Sequence, residues 1–260
     1  MKWIKRIALT LAALYLLTAT LLYFNQEALI FHPRAQGANY SYGEYPEEWV
    51  ELPDGKRLHA LHLREGGKGV ILYLHGNVGN NGRSLYQTRD LHDLGYDLFL
   101  VDYRGFGKSE GEVASEAHMT ADLQVVYDRL KGEYGEDGII LAGYSLGSGP
   151  ASYLAANNSP RGVVLVAPYT SLTDMKDLLF PFIPSFLMEY RLDNRANLAA
   201  SRVPVRILHG VEDELIPVEM ARELSALDPD RIKLTELKGK GHRAAILTRR
   251  FGEAVKDLVD

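Results

Sequence analysis

Six short apolar runs punctuate the chain, at Val70–Leu74, Leu98–Val101, Ile139–Ala142, Val163–Val166, Val205–Leu208 and Ile232–Leu237. Each is too short for a helix, and their near-continuous apolarity is what strands buried on both faces require. Helical patterns lie between them. Met119–Tyr134 is the clearest, with Leu123, Val126, Tyr127 and Leu130 on one stripe; Gly147–Asn157 and Val218–Ala226 are two more. Strands alternating with helices specify an α/β fold, a mostly parallel central sheet with helices on both faces. Ahead of the first run, Trp49–Leu52, a Pro-Asp-Gly turn and Arg57–Leu63 predict an opening hairpin. Residues 172–198 break the rhythm, because Leu178–Met188 is apolar but holds Pro181 and Pro184. A small cap over a site and the packing of an irregular helical pair both fit this stretch.

Before the sheet begins, Ile7–Phe24 runs for 18 residues without a charge. As a helix it would be about 27 Å long, close to the hydrocarbon thickness of a bilayer. A cleaved signal peptide has a shorter apolar region, about 7–15 residues, ending in a small-x-small site. Here Thr18-Ala19-Thr20 is followed by more apolar residues, so an uncleaved anchor is the first reading and a signal peptide the second. Lys2, Lys5 and Arg6 precede the run, and Asn25-Gln26-Glu27 follows it. The positive-inside bias then keeps the N-terminus cytoplasmic and places the remainder on the non-cytoplasmic side, the periplasm in a bacterium. The expected organisation is an anchor over 1–32 and a globular domain over 33–260, with a short cap at about 172–198.

The 260 residues include 29 Lys and Arg against 34 Asp and Glu, a formal charge of −5, with no basic block. A surface for nucleic acid needs clustered cations, so that partner is not expected. The chain has no cysteine, which excludes disulfides, thiolate metal sites and a cysteine nucleophile. His59 and His62 are three apart on a predicted strand and would point to opposite faces, which is no metal pair. Gly105-Phe106-Gly107 lacks the third glycine and the acidic partner of a dinucleotide fingerprint, and no cofactor is implied.

The chemistry concentrates at Gly143-Tyr144-Ser145-Leu146-Gly147, directly after the Ile139–Ala142 run and opening a helix. A strand that turns this sharply into a helix strains its central residue and needs neighbours without side chains two positions away. The turn lifts the Ser145 hydroxyl clear of the sheet and aims the Leu146 N–H at a developing oxyanion. A serine hydroxyl needs a base, and the base an orienting carboxylate, on loops after later strands. His242 follows the last run through Lys238-Gly239-Lys240-Gly241. Asp213 follows Val205–Leu208, with Glu212 and Glu214 beside it as the obvious misassignments. The loop after Val70–Leu74, His75-Gly76-Asn77, offers the Asn77 N–H as a second oxyanion donor. Asp102 lies on the wrong strand for this order and reads as structural, with Arg104 and its glycines shaping a loop near the site.

These residues resemble the α/β-hydrolase superfamily, and within it the small-cap, membrane-anchored serine hydrolases with a His-Gly-Asn oxyanion loop. The resemblance rests on His75-Gly76-Asn77, Asp102–Ser109, Gly143–Gly147, Ala167–Leu172, His209–Asp213 and Gly241-His242, with Leu29–Pro33 beyond the apolar run. Arg243-Ala244 departs from the small polar or acidic residue that often follows the histidine in such relatives. The expected function is cleavage of carboxylic esters through Ser145, His242 and Asp213, on small-molecule or lipid acyl esters. Thioesterase or aminopeptidase activity on the same triad, and a non-catalytic tethered binding domain, are the alternatives. Oligomeric state has no signature in the sequence.

Overall fold

A computed structural model describes residues 1–37 and 39–259. Its centre is an eight-stranded sheet built from β1 (Glu47–Glu51), β2 (Arg57–Leu63), β3 (Val70–Leu74), β4 (Asp97–Val101), β5 (Ile139–Tyr144), β6 (Gly162–Val166), β7 (Val205–Gly210) and β8 (Ile232–Leu237). The spatial order is β1-β2-β4-β3-β5-β6-β7-β8; the hairpin β1-β2 and the β2-β4 pair are antiparallel and the rest are parallel. Chain direction reverses around β3, between β4 and β5, and in open α/β sheets ligands bind outside the carboxyl ends of strands at such a switch. Register makes those ends flush. Leu74 pairs with Gly143, and Leu237 pairs with Gly210, so the loops after β3 and β5 and those after β7 and β8 leave the sheet side by side.

The period-two alternation of the strands divides the core. Leu72, Leu74, Leu141 and Leu165 pack on one side with Leu130, Leu154 and Leu224; Ile71, Tyr73, Ile140 and Val164 pack on the other with Leu91, Phe251 and Val255. The helices are α1 (Lys2–Phe24), α2 (Gln26–Ile30), α3 (Asn81–Gln87), α4 (Glu116–Tyr134), α5 (Ser148–Asn157), α6 (Leu172–Leu179), α7 (Asn194–Ala200), α8 (Val218–Ala226), α9 (His242–Ala245) and α10 (Arg250–Lys256). α4 starts earlier than its apolar stripe because Ser115 caps it, its Oγ accepting the His118 N–H at 3.0 Å.

Residues 172–198 divide between the cavity and the body. α6 and the turn at Ser185–Leu187 lie over the switch point, whereas α7 belongs to the body: Asn194 Nδ2 donates to Tyr169 O at 2.8 Å and Ser148 Oγ at 2.9 Å. The N-terminal helix α1 is long and apolar enough to cross a membrane. Up to Thr18 its residues are exposed, but Ala19 is buried, as is Gln26 at the start of α2, which donates to the Leu187 carbonyl. Phe31 is a full member of the core, with its ring edge-on to Tyr190 at 5.2 Å. The packed body therefore begins well before residue 33.

Candidate active site

β5 ends at Tyr144 and α5 begins at Ser148, with one 3-10 turn over Ser145–Gly147 between them. So abrupt a turn holds Ser145 at φ 53°, in the left-handed region, at a cost of about 1–3 kcal/mol for a side chain with a Cβ. Close approach decides its neighbours. A Cβ on Gly147 would lie 2.0 Å from the Leu74 carbonyl oxygen, and one on Gly143 would lie 2.5 Å from the Gly147 oxygen. The two nearby serines are occupied elsewhere. Ser148 Oγ donates to the Ser145 carbonyl at 2.7 Å, and Ser152 Oγ to that of Gly149 at 2.9 Å, while both accept from asparagines of α7.

The structure brings Ser145, His242 and Asp213 into one hydrogen-bonded line. Ser145 Oγ is 3.0 Å from His242 Nε2, and His242 Nδ1 is 2.8 Å from Asp213 Oδ2. The other carboxylate oxygen, Oδ1, accepts the N–H groups of Leu215 and Ile216, each at 2.9 Å. Burial alone would push the Asp213 carboxyl up; hydrogen bonds from His209, His242 and the Ile216 N–H outweigh it and hold Asp213 well below the usual carboxylate range. An ionised carboxylate only accepts, so His242 Nδ1 carries the proton and Nε2 is left to accept from the Ser145 hydroxyl.

His209 is the residue sequence reasoning did not assign a role. Its Nε2 lies 2.8 Å from the Ile216 carbonyl oxygen and 3.3 Å from Asp213 Oδ2. The carbonyl can only accept, so Nε2 bears a proton and faces the carboxylate. The available signal was a histidine at the end of an apolar strand, four residues before the acid.

The neighbours of the line have separate duties. Glu212 Oε2 accepts the Lys240 N–H at 2.8 Å and Glu214 Oε2 that of His242 at 3.4 Å, so both brace the loop carrying His242. Asp102 is buried between His59 and His75, 3.8 and 3.6 Å away, and burial pushes its carboxyl up. Its oxygen fills the space a Cβ on Gly107 would need. The Arg104 side chain packs beside Gly111 of its own loop. It turns away to Asp122, at 2.5 and 2.8 Å, and Asp54, at 2.7 Å, tying α4 to the hairpin turn. His59 and His62 do face opposite sides, toward Glu47 and toward Glu48 and Tyr134.

Asn77, Ser145 and Leu146 line a single cavity of about 270 Å³. The loop holding Asn77 is anchored on both sides. Tyr103 donates its hydroxyl to the His75 carbonyl at 2.7 Å, and the His32 N–H donates to that of Asn77 at 2.8 Å. One wall comes from the cap, including Met175, Leu179, Phe180 and Ile183. The opposite wall comes from the N-terminal segment, through Ala19, Leu22, Tyr23, Gln26, Leu29 and Ile30. Among the described residues Lys176 is the one charged member of the lining. Its ammonium is spent on Asp177, the Ile183 carbonyl at 2.7 Å and Ser185 Oγ at 3.0 Å.

The chain is similar to several known proteins. Residues 66–196 match the family model described as serine aminopeptidase, S33. An uncharacterised protein of Mycobacterium tuberculosis is 30% identical over 86% of this chain and 82% of its own. The lysophosphatidylserine lipase ABHD12 of Danio rerio is 29% identical over 74% of this chain, which spans 60% of that relative's length. Among solved structures, an esterase of Pyrococcus furiosus superposes with a TM-score of 0.70 at 20% identity, covering 89% of this chain and 98% of that one.

Proposed function

The chain belongs to the serine aminopeptidase S33 family of the α/β-hydrolase superfamily, and on that premise we propose that it is an ester-cleaving serine hydrolase in which Ser145 is the nucleophile, His242 the base and Asp213 the orienting acid. The carrying observation is the unbroken line from Ser145 Oγ to His242 at 3.0 Å and on to Asp213 at 2.8 Å, opening on an apolar cavity. His242 Nε2 takes the hydroxyl proton as Ser145 Oγ attacks the acyl carbonyl. The backbone N–H groups of Asn77 and Leu146 hold the oxyanion, and each such donor is worth about 3 kcal/mol of barrier. The protonated His242 then protonates the departing alkoxide, and water activated by the same imidazole releases the acid from the acyl-serine.

The cavity argues for the substrate class. An acyl chain finds aliphatic and aromatic side chains on both walls. A peptide's free α-ammonium would need a carboxylate to receive it, and among the described residues the cavity lining includes no Asp or Glu. Esters of lipid or other long-chain acyl groups therefore fit better than peptides. Names among the relatives, lysophosphatidylserine lipase and esterase, point the same way. In this reading α1 is an uncleaved membrane anchor, with the catalytic body on the non-cytoplasmic side.

The test is covalent labelling of the full chain, in detergent, with a fluorophosphonate probe. Wild type is expected to label, while Ser145→Ala and His242→Ala are not. A folded wild type that fails to label, or labelling that survives Ser145→Ala, overturns the assignment.

A further inference from the structure

We propose that the cap dips into the bilayer leaflet on the body's side of the membrane, so that the acyl cavity fills with lipid chains directly from that leaflet; this rests on the ester-hydrolase reading above and adds to it the source of the substrate. The argument starts from α1. Tyr15, Ala19, Leu22 and Tyr23 recur at helical spacing on one face of α1, and Gln26 opens α2 just beyond it. The second half of α1 and the start of α2 meet the cap. The Tyr15 hydroxyl donates to the Phe182 carbonyl at 3.0 Å, Tyr23 to Glu189 Oε1 at 2.7 Å, and Gln26 Nε2 to the Leu187 carbonyl at 2.9 Å.

Tyr15 lies in the middle of the uncharged run and Tyr23 near its end. Nine residues of helix separate Tyr15 from Phe24, about 14 Å, and half of a hydrocarbon core is about 15 Å. A cap fastened at Tyr15 therefore cannot stay in water while α1 spans the membrane. Its surface is made for that position. Phe186 is 80% exposed and Phe182 58% exposed, the Phe180 ring stands edge-on to that of Phe182 at 6.4 Å, and Leu178 and Leu179 are exposed on the same cap. A water-facing surface rarely gathers so many large apolar side chains, and a contiguous patch beside a membrane helix marks a lipid-facing one.

Part of the cap's backbone is already paired without water, which lowers the cost of leaving it. Pro181 and Pro184 have no N–H to satisfy. The N–H groups of Phe180, Ile183, Leu187 and Met188 are bonded to carbonyls within the cap. The Lys176 ammonium is neutralised by Asp177 and bound to Ile183 O and Ser185 Oγ, so the cap carries an internally paired charge. Because Ala19, Leu22 and Tyr23 belong both to α1 and to the cavity wall, the cavity sits at the depth of the leaflet's acyl chains.

The natural absence of cysteine permits a direct test. Full-length protein carrying Phe186→Cys, labelled with the environment-sensitive fluorophore NBD, is reconstituted into phosphatidylcholine–phosphatidylglycerol vesicles, with Ala226→Cys on the body as the control. The label at 186 is expected to be quenched by doxyl-bearing lipids and shielded from aqueous iodide, and the label at 226 to behave oppositely. In parallel, Phe182→Glu with Phe186→Glu is expected to slow hydrolysis of p-nitrophenyl palmitate embedded in vesicles by about tenfold or more, the loss expected when two phenyl groups leave an apolar phase. Hydrolysis of p-nitrophenyl butyrate in water is expected to stay unchanged. Iodide quenching at 186 overturns the proposal, as does shielding without lipid quenching, which would mean a second copy of the chain covers the face. Unchanged palmitate hydrolysis by the double variant overturns it too. If wild type cleaves neither ester, it is the hydrolase reading that fails, and the fluorescence result still decides where the cap lies.

Discussion

Replacing Asp213 by Asn tests the relay by reversing one hydrogen bond. Oδ1 of Asp213 accepts two backbone N–H groups, those of Leu215 and Ile216 at 2.9 Å each. An asparagine must keep its oxygen there, since turning the amide would set NH₂ against two donors. The NH₂ group therefore takes the Oδ2 position, 2.8 Å from His242 Nδ1. It can only donate, so His242 must accept at Nδ1 and carry its proton on Nε2. Nε2 then offers a proton to Ser145 Oγ instead of removing one. In serine hydrolases with this relay, the wrong tautomer costs about 10⁴ in kcat, or about 5.4 kcal/mol of barrier. Burst kinetics with p-nitrophenyl butyrate measure the loss, and fluorophosphonate labelling should slow in parallel. A kcat within about tenfold of wild type, in a variant with native circular dichroism, refutes the tautomer argument. Stability carries a second signature. The folded-state pKa of Asp213 is depressed, so the ionised group contributes stability above its ordinary value of 3.8 and loses it as pH falls through the folded value. The excess denaturation free energy of wild type over Asp213→Asn is thus full near neutrality and shrinks only in acid.

Three further outcomes follow from packing. Gly147→Ala puts a Cβ 2.0 Å from the Leu74 carbonyl, and a clash with backbone should cost about 4 kcal/mol or more, lowering Tm by roughly 8–16 °C for a chain of this size; calorimetry showing no shift would refute the close-approach account. Removing residues 1–32 deletes Phe31 from the core and the His32 N–H that holds the Asn77 carbonyl at 2.8 Å. Losing the Phe31 side chain alone is worth about 3–5 kcal/mol, so the 33–260 fragment should unfold earlier and hydrolyse long-chain esters less well than full-length protein in the same detergent. Arg104→Met strands Asp122, which is buried and doubly bonded to the guanidinium at 2.5 and 2.8 Å. It should cost about 3–5 kcal/mol in urea denaturation, yet leave the labelling rate of the folded fraction unchanged, because Arg104 is absent from the cavity wall.

The strands were legible because a strand buried on both faces writes its apolarity into consecutive residues, and β3 and β8 begin and end where their runs do. Helix starts were less so. α4 opens with Glu116, Ala117 and His118 behind its Ser115 cap, and an apolar stripe cannot register a turn that has no buried member. The serine turn was legible for a local reason, since Gly143 and Gly147 must lack Cβ atoms whatever the rest of the chain does. The ordering of Asp213 among three neighbouring acids was harder to read. In the structure two backbone N–H groups seize its Oδ1, while loop contacts occupy Glu212 and Glu214.

Sequence alone determined the layered α/β fold, the strained serine and the loops on which its hydrogen-bonded partners stand, because these depend on periodicity, on small residues at sharp turns and on chain order. Only the tertiary structure decided that His209 faces Asp213, that Arg104 turns away from the site, and that Ala19–Ile30 serves as a cavity wall. Composition reads that last segment as apolar and nothing more, for a side chain facing lipid and one facing a cavity obey the same transfer energetics. Its partners on the cap lie more than 160 residues away along the chain. A contact of that separation leaves no periodic trace and comes into being only when the sheet has brought both ends to the same place.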